Sequence, residues 1–134
     1  MPSIIQVDGI GEVYAQKLKS AGVATTGALL SRGATPQGRK QLAAATGIKD
    51  ALILEWVNHV DLFRITGVGE EYSDLLEEAG VDTVVELATR NPENLYRKMV
   101  EVNAEKKLVR RLPTEKQVAD WVKEAKSLPR MISY

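Results

Sequence analysis

Cysteine is absent from all 134 residues, so the chain has no disulfide framework, no thiolate metal site and no thiol nucleophile. Histidine occurs once, at His59, which leaves no second imidazole to share a metal ion and too few players for a Ser-His-Asp arrangement. A glycine-rich phosphate loop ending in lysine is missing too. No apolar run approaches the roughly 18 residues needed to span a bilayer. The opening residues Met1-Pro2-Ser3-Ile4-Ile5 carry neither a basic nor a hydrophobic leader segment, so no secretory signal is expected and the expected location is cytoplasmic. Positive charge is not in surplus: 18 basic side chains face 18 acidic ones. Phosphate neutralisation supplies much of the affinity of a nucleic-acid binder, so this balance argues against a strong overall attraction to DNA. Strand signals are nearly absent as well. These gaps leave an all-α chain expected to be non-enzymatic, with no metal and no cofactor.

What is present is a repeat. Residues 5–30 align with residues 63–88 without a gap, and ten of the 26 positions are identical. The shared set includes Gly9/Gly67, Gly11/Gly69, Tyr14/Tyr72, Leu18/Leu76, the run Ala21-Gly22-Val23 over Ala79-Gly80-Val81, and Thr25/Thr83. Weaker echoes follow in Thr35-Pro36 and Asn91-Pro92, then in Glu55-Trp56-Val57 and Asp120-Trp121-Val122. The offset drifts from 58 to about 66, which places a short insertion of the second copy within residues 104–112. Two tandem units are therefore expected, 1–62 and 63–134.

Each unit reads as four short helices. Apolar residues recur at three- and four-residue spacing after Gly11 and Gly69. Gly22 and Gly80 stand where a left-handed glycine ends a helix. Thr25 and Thr83 can cap short helices expected over 26–31 and 84–90. Proline at the first helical position opens helices over 36–46 and 92–103. The last pair is expected over 49–60 and 115–127, the latter with Thr114 and Gln117 spaced as a capping box. Trp56 and Trp121 fall on apolar stripes and are expected as core anchors of equivalent helices, with Tyr14 and Tyr72 packed nearby.

The segments Val7-Asp8-Gly9-Ile10-Gly11 and Ile65-Thr66-Gly67-Val68-Gly69 share the form hydrophobic-x-Gly-hydrophobic-Gly. Two glycines let the backbone turn with positive φ and come close to a ligand, while Ile10 or Val68 plugs the turn into the core. The amides after the second glycine are unpaired first-turn donors at the positive end of a helix dipole, which suits a phosphate. Such a contact holds a nucleic-acid backbone without reading bases. The passage resembles the tandem helix-hairpin-helix domains of DNA-repair proteins and the N-terminal domain of archaeal and eukaryotic recombinases. More closely, the whole chain resembles a bacterial family of small proteins known only as a domain of unknown function with helix-hairpin-helix repeats. That likeness rests on Glu55-Trp56-Val57, on residues 67–72 and on the basic run Lys106-Lys107-Leu108-Val109-Arg110-Arg111-Leu112-Pro113. It implies the helix-hairpin-helix fold, while the likeness to the DNA-repair and recombinase domains implies non-specific DNA binding.

Local charge divides the two hairpins. Residues 5–30 balance Lys17 and Lys19 against Asp8 and Glu12. Residues 63–88 set Arg64 alone against Glu70, Glu71, Asp74, Glu77, Glu78, Asp82 and Glu86, a net of −6. Carboxylates in the first turn stabilise a helix by roughly 0.3–1 kcal/mol but repel an incoming phosphate. Residues 89–112 return a net of +4, largely through Lys106, Lys107, Arg110 and Arg111. That cluster suits a phosphate partner or internal pairing with the acidic helix. Two functions follow. One is sequence-independent DNA backbone binding through Gly9, Ile10, Gly11, Gly67 and Gly69, with Lys17, Lys19 and the 106–111 cluster in support. The other is a protein-interaction or scaffold module that has kept the hairpins and lost DNA.

Overall fold

The computed structural model describes residues 3–7 and 9–134; Asp8, the variable position of the first glycine motif, lies outside the described residues. Among the described residues regular structure is helical. A 3-10 turn at Ile4–Gln6 precedes α1 (Glu12–Ser20), α2 (Thr26–Gly33), α3 (Pro36–Thr46), α4 (Asp50–Leu62), α5 (Glu70–Glu78), α6 (Val84–Ala88), α7 (Pro92–Lys106) and α8 (Glu115–Ser127). An isolated antiparallel bridge joins Ser3 to Thr25. No helix among the described residues is long and apolar enough to cross a membrane. The chain divides into two compact units, Met1–Asp61 with Met131–Tyr134 and Leu62–Arg130.

Side-chain oxygens start most of these helices. Thr25, Thr35, Thr83, Asn91 and Thr114 each accept from a backbone N–H of the first turn, and Thr114 does so within a full capping box with Gln117. Pro36 and Pro92 stand at the first helical positions of α3 and α7. α1 and α5 end alike. Gly22 turns at φ 87° with its N–H on Lys19 O, while Val23 N–H reaches Leu18 O at 2.8 Å. Gly80 turns at φ 95° with its N–H on Glu77 O, while Val81 N–H reaches Leu76 O at 2.8 Å. Both are Schellman ends, and the paired residues Val23/Leu18 and Val81/Leu76 are fully buried beneath them. Arg32 and Arg90 donate to the Ala21 and Gly80 carbonyls, satisfying acceptors at those same ends.

In the first unit Leu18, Leu29, Leu42, Ile53 and Trp56 meet in a core where none is more than 1% exposed, and α3 packs on α1 and α2. In the second, α8 lies against α6 and α7, and α7 against α5, around Leu75, Leu76, Leu87, Met99 and Trp121. The segment Met131–Tyr134 belongs to the first unit: Ser133 N–H bonds Ala34 O at 2.8 Å and Ile132 is 3% exposed.

Some helix limits differ from those the sequence predicts. α7 continues past Asn103 to Lys106, because Ala104, Glu105 and Lys106 are good helix formers and nothing stops the chain until Lys107 turns left-handed at φ 52°. α6 stops at Ala88 rather than running to residue 90, where the Thr89 hydroxyl takes the Glu86 carbonyl at 2.7 Å.

Candidate nucleic-acid interface

The two glycine motifs are built alike and their glycines are not. Gly9 and Gly67 turn at φ 90° and 87°, the left-handed region that favours glycine. Gly11 and Gly69 are the N-caps of α1 and α5 at φ −84° and −111°, where any residue is comfortable. A Cβ at either of these two would meet nothing within 4 Å. The expectation that both glycines of a pair take positive φ is corrected: only the first does. Between them Ile10 and Val68 are 3% and 5% exposed, each with its N–H on the Val7 or Ile65 carbonyl at 3.1 Å. They plug the turn into the core and leave Gly9, Gly11, Gly67 and Gly69 exposed.

α1 and α5 also lack what the other capped helices have. No side chain accepts from their first turn, whereas Thr25, Thr35, Thr83, Asn91 and Thr114 supply that acceptor elsewhere. The first-turn amides of α1 and α5 thus open to solvent with the positive end of the helix dipole behind them. Their surroundings differ. Among the described residues Glu12 flanks Gly11, followed by Val13, 69% exposed. Glu70 and Glu71 flank Gly69, and the Glu124 carboxylate accepts from the Thr66 N–H at 3.1 Å and from its hydroxyl at 3.2 Å. Three carboxylates around the second turn make it the poorer seat for an anion.

A tryptophan lies under each turn. Trp56 Nε1 is 3.2 Å from the point where a Gly9 Cβ would stand, and Trp121 Nε1 is 3.6 Å from the same point at Gly67. Each ring meets a tyrosine in a tilted contact, Tyr14 on Trp56 at 5.1 Å and 60°, Tyr72 on Trp121 at 5.3 Å and 52°. The expected burial of both tryptophans is observed, at 1% and 3% exposure. Their place beneath the glycines is not readable from sequence, since the partners stand far apart along the chain. The only signal is that both the glycines and the tryptophans recur.

The basic residues singled out from sequence fall in two places. Lys17 and Lys19 occupy the last turn of α1, some ~8–10 Å along the axis from its first amides, with Lys17 Nζ 6.0 Å from the Tyr14 ring centre. They offset the negative end of the dipole rather than line the turn. Lys106 pairs with Glu78 at 2.6 Å, and this hydrogen bond holds the ammonium pKa above its ordinary value. Beyond it the loop is tied down. Asn103 donates to Val109 O and accepts from Val109 N–H, at 3.2 and 2.9 Å, and Val109 is buried. Tyr72 donates to Arg111 O at 2.9 Å, fastening the loop to the first turns of α5. Lys107, Arg110 and Arg111 are exposed, and among the described residues their charged groups have no ion-pair partner. His59 is 5% exposed within α4.

The chain belongs to the family described as Domain of unknown function (DUF4332), which matches residues 8–128. No curated protein and no solved structure matches it.

Proposed function

We propose, from a family description that names no activity, that this chain is a non-enzymatic protein of two tandem helix-hairpin-helix units that holds a nucleic-acid backbone without reading its bases. The seat is the first turn of α1 after Gly11, with the equivalent turn of α5 after Gly69 as a weaker partner. One observation carries this reading. The two helices that follow the glycine motifs have glycine N-caps with no side-chain acceptor, and neither φ nor packing requires glycine there. A serine or threonine would cap better, or as well, at no steric cost. A bare N-cap keeps the amides free and lets a bulky anion come close. The tandem reading draws support from the pairwise recurrence of the glycines, Schellman ends, threonine caps and tyrosine–tryptophan contacts. Lys107, Arg110 and Arg111 supply positive charge beside α5 against Glu70, Glu71 and Glu124.

A second reading, a protein-interaction module, is favoured by the Lys106–Glu78 pair, which spends one of the basic residues internally. Titration against short single- and double-stranded DNA at low and then higher salt separates the two. A backbone binder loses affinity steeply as salt rises, because each neutralised phosphate releases counterions. Gly11→Ser is expected to keep stability or raise it by a few tenths of a kcal/mol. It is also expected to weaken DNA binding several-fold, since its hydroxyl oxygen takes up the first-turn N–H. Absence of binding at low salt, or unchanged affinity in Gly11→Ser, removes the hairpin reading and leaves the protein partner.

A further inference from the structure

We propose that the indole N–H of Trp56 is a built-in phosphate donor of the first hairpin, a role that rests on the hairpin reading above and deepens it. A buried tryptophan normally finds an acceptor for its N–H. Trp56 is 1% exposed, yet among the described residues its Nε1 has no hydrogen-bond partner, and the same holds for Trp121. No side-chain nitrogen or oxygen sealed from solvent among the described residues goes unsatisfied. The indole N–H therefore reaches the surface at an otherwise buried ring. It does so at the glycine turn: the vacant Cβ position of Gly9 is 3.2 Å from Nε1.

With no Cβ at position 9, an oxygen approaching over the glycine can accept from the indole N–H. A side chain at position 9 would fill the notch, so the glycine that φ demands also opens it. The group in the notch is a donor and selects an acceptor, which suits an anionic oxygen and disfavours a metal cation. Tyr14 fixes the ring from one side at 5.1 Å, so the N–H is placed before any ligand arrives. Gly9 and the Gly11 amide are two residues apart, at most about 7 Å along the chain, so one phosphate can engage the indole while its neighbour on the backbone engages the α1 amides. The ligand class is a phosphodiester chain. In the second hairpin the Trp121 nitrogen stands farther off, 3.6 Å from the Gly67 Cβ position, Glu124 is bonded to the adjoining Thr66 and Glu70 and Glu71 follow Gly69, so Trp121 serves as the internal comparison.

The test uses the full chain labelled with 15N, whose two tryptophans give two indole resonances, assigned with Trp121→Phe. An unstructured single-stranded oligonucleotide and inorganic phosphate are titrated separately at low salt. The expected result is a saturable shift of the Trp56 indole resonance with the oligonucleotide, larger than that of Trp121. Trp56→Phe keeps a six-membered aromatic ring and removes the five-membered ring that bears the N–H, and its affinity is expected to fall about tenfold. The Trp121 indole resonance and the α1 amides check that the variant is folded. If the Gly11–Val13 amides shift while Trp56→Phe binds like the unmodified chain, the indole has no part in binding and the hairpin reading stands without it. If inorganic phosphate moves the indole and the oligonucleotide does not, the ligand is a free phosphate and the phosphodiester assignment is overturned. If neither indole nor amides respond to either probe, the hairpin reading fails as well.

Discussion

At Gly9 the backbone passes through φ 90° with the Trp56 nitrogen 3.2 Å from the vacant Cβ position, whereas Gly11 sits at φ −84° with open space around it. A side chain at position 9 meets roughly 1–2 kcal/mol of left-handed strain and a ring that must give way. A side chain at position 11 meets neither. Gly9→Ala is therefore expected to lower stability by about 2 kcal/mol, and Gly11→Ala by less than about 1 kcal/mol, the latter through a poorer N-cap. Urea unfolding of the two variants measures both. Equal losses would mean that the two glycines share one structural role and that the case for a bare N-cap is wrong. The wider 3.6 Å notch at Gly67 predicts that Gly67→Ala costs less than Gly9→Ala in the same assay.

The helices differ in how plainly their sequence announces them. Starts written as Thr or Asn before proline or as a capping box, and ends written as Ala-Gly-Val, are local chemistry, and α1, α3, α5 and α8 lie where that chemistry puts them. The α2–α3 corner is not local. A Cβ on Gly38 would stand 2.1 Å from the Arg32 carbonyl oxygen, and one on Gly33 would stand 2.5 Å from Val57 Cγ2. These glycines let helices approach, yet in sequence they look like ordinary helix-weakening positions. α2 ends at Gly33 after eight residues while α6 has five, and Asn94 fills the second-unit position that answers Gly38 two places after the proline. The close approach thus belongs to the first unit alone. Gly38→Ala is expected to cost about 1–3 kcal/mol in thermal or urea unfolding, as overpacking does, although alanine is the better helix former. A gain in stability would refute the steric argument. The candidate site divides along the same line. The glycine motifs were legible because turn chemistry is local, while the tryptophans beneath them and the Tyr72–Arg111 contact were not, because each joins residues that meet only through packing.

Over the whole chain, charge and connectivity both depart from what a simple repeat suggests. Net charge is zero, yet it is unevenly laid out: an acidic α5 lies beside the 107–111 loop, and Lys106–Glu78 and Tyr72–Arg111 tie the two together. Connectivity is closed by the segment Met131–Tyr134, which leaves the second unit and completes the first. There Arg39, 4% exposed, donates to Gly33 O and to Ser133 O, both at 2.9 Å. The Tyr134 ring lies 5.9 Å from its guanidinium, and the Tyr134 hydroxyl bonds Asn58 at 3.1 Å. A buried guanidinium is tolerated only when its donors are met, so this segment secures a charge inside the first unit as well as covering apolar surface. Ile132 is its apolar anchor at 3% exposure. Truncating it removes a buried side chain and loosens the backbone that supplies the Ser133 carbonyl. Ile132→Ala is thus expected to cost about 2–5 kcal/mol. The loss should appear first as reduced hydrogen-exchange protection in α2 and α3, the helices that the Ala34–Ser133 and Arg39–Ser133 bonds hold together. Unchanged protection in α2 and α3 would mean that the first unit is complete without its last strand of contacts, and that Arg39 is satisfied by Gly33 alone.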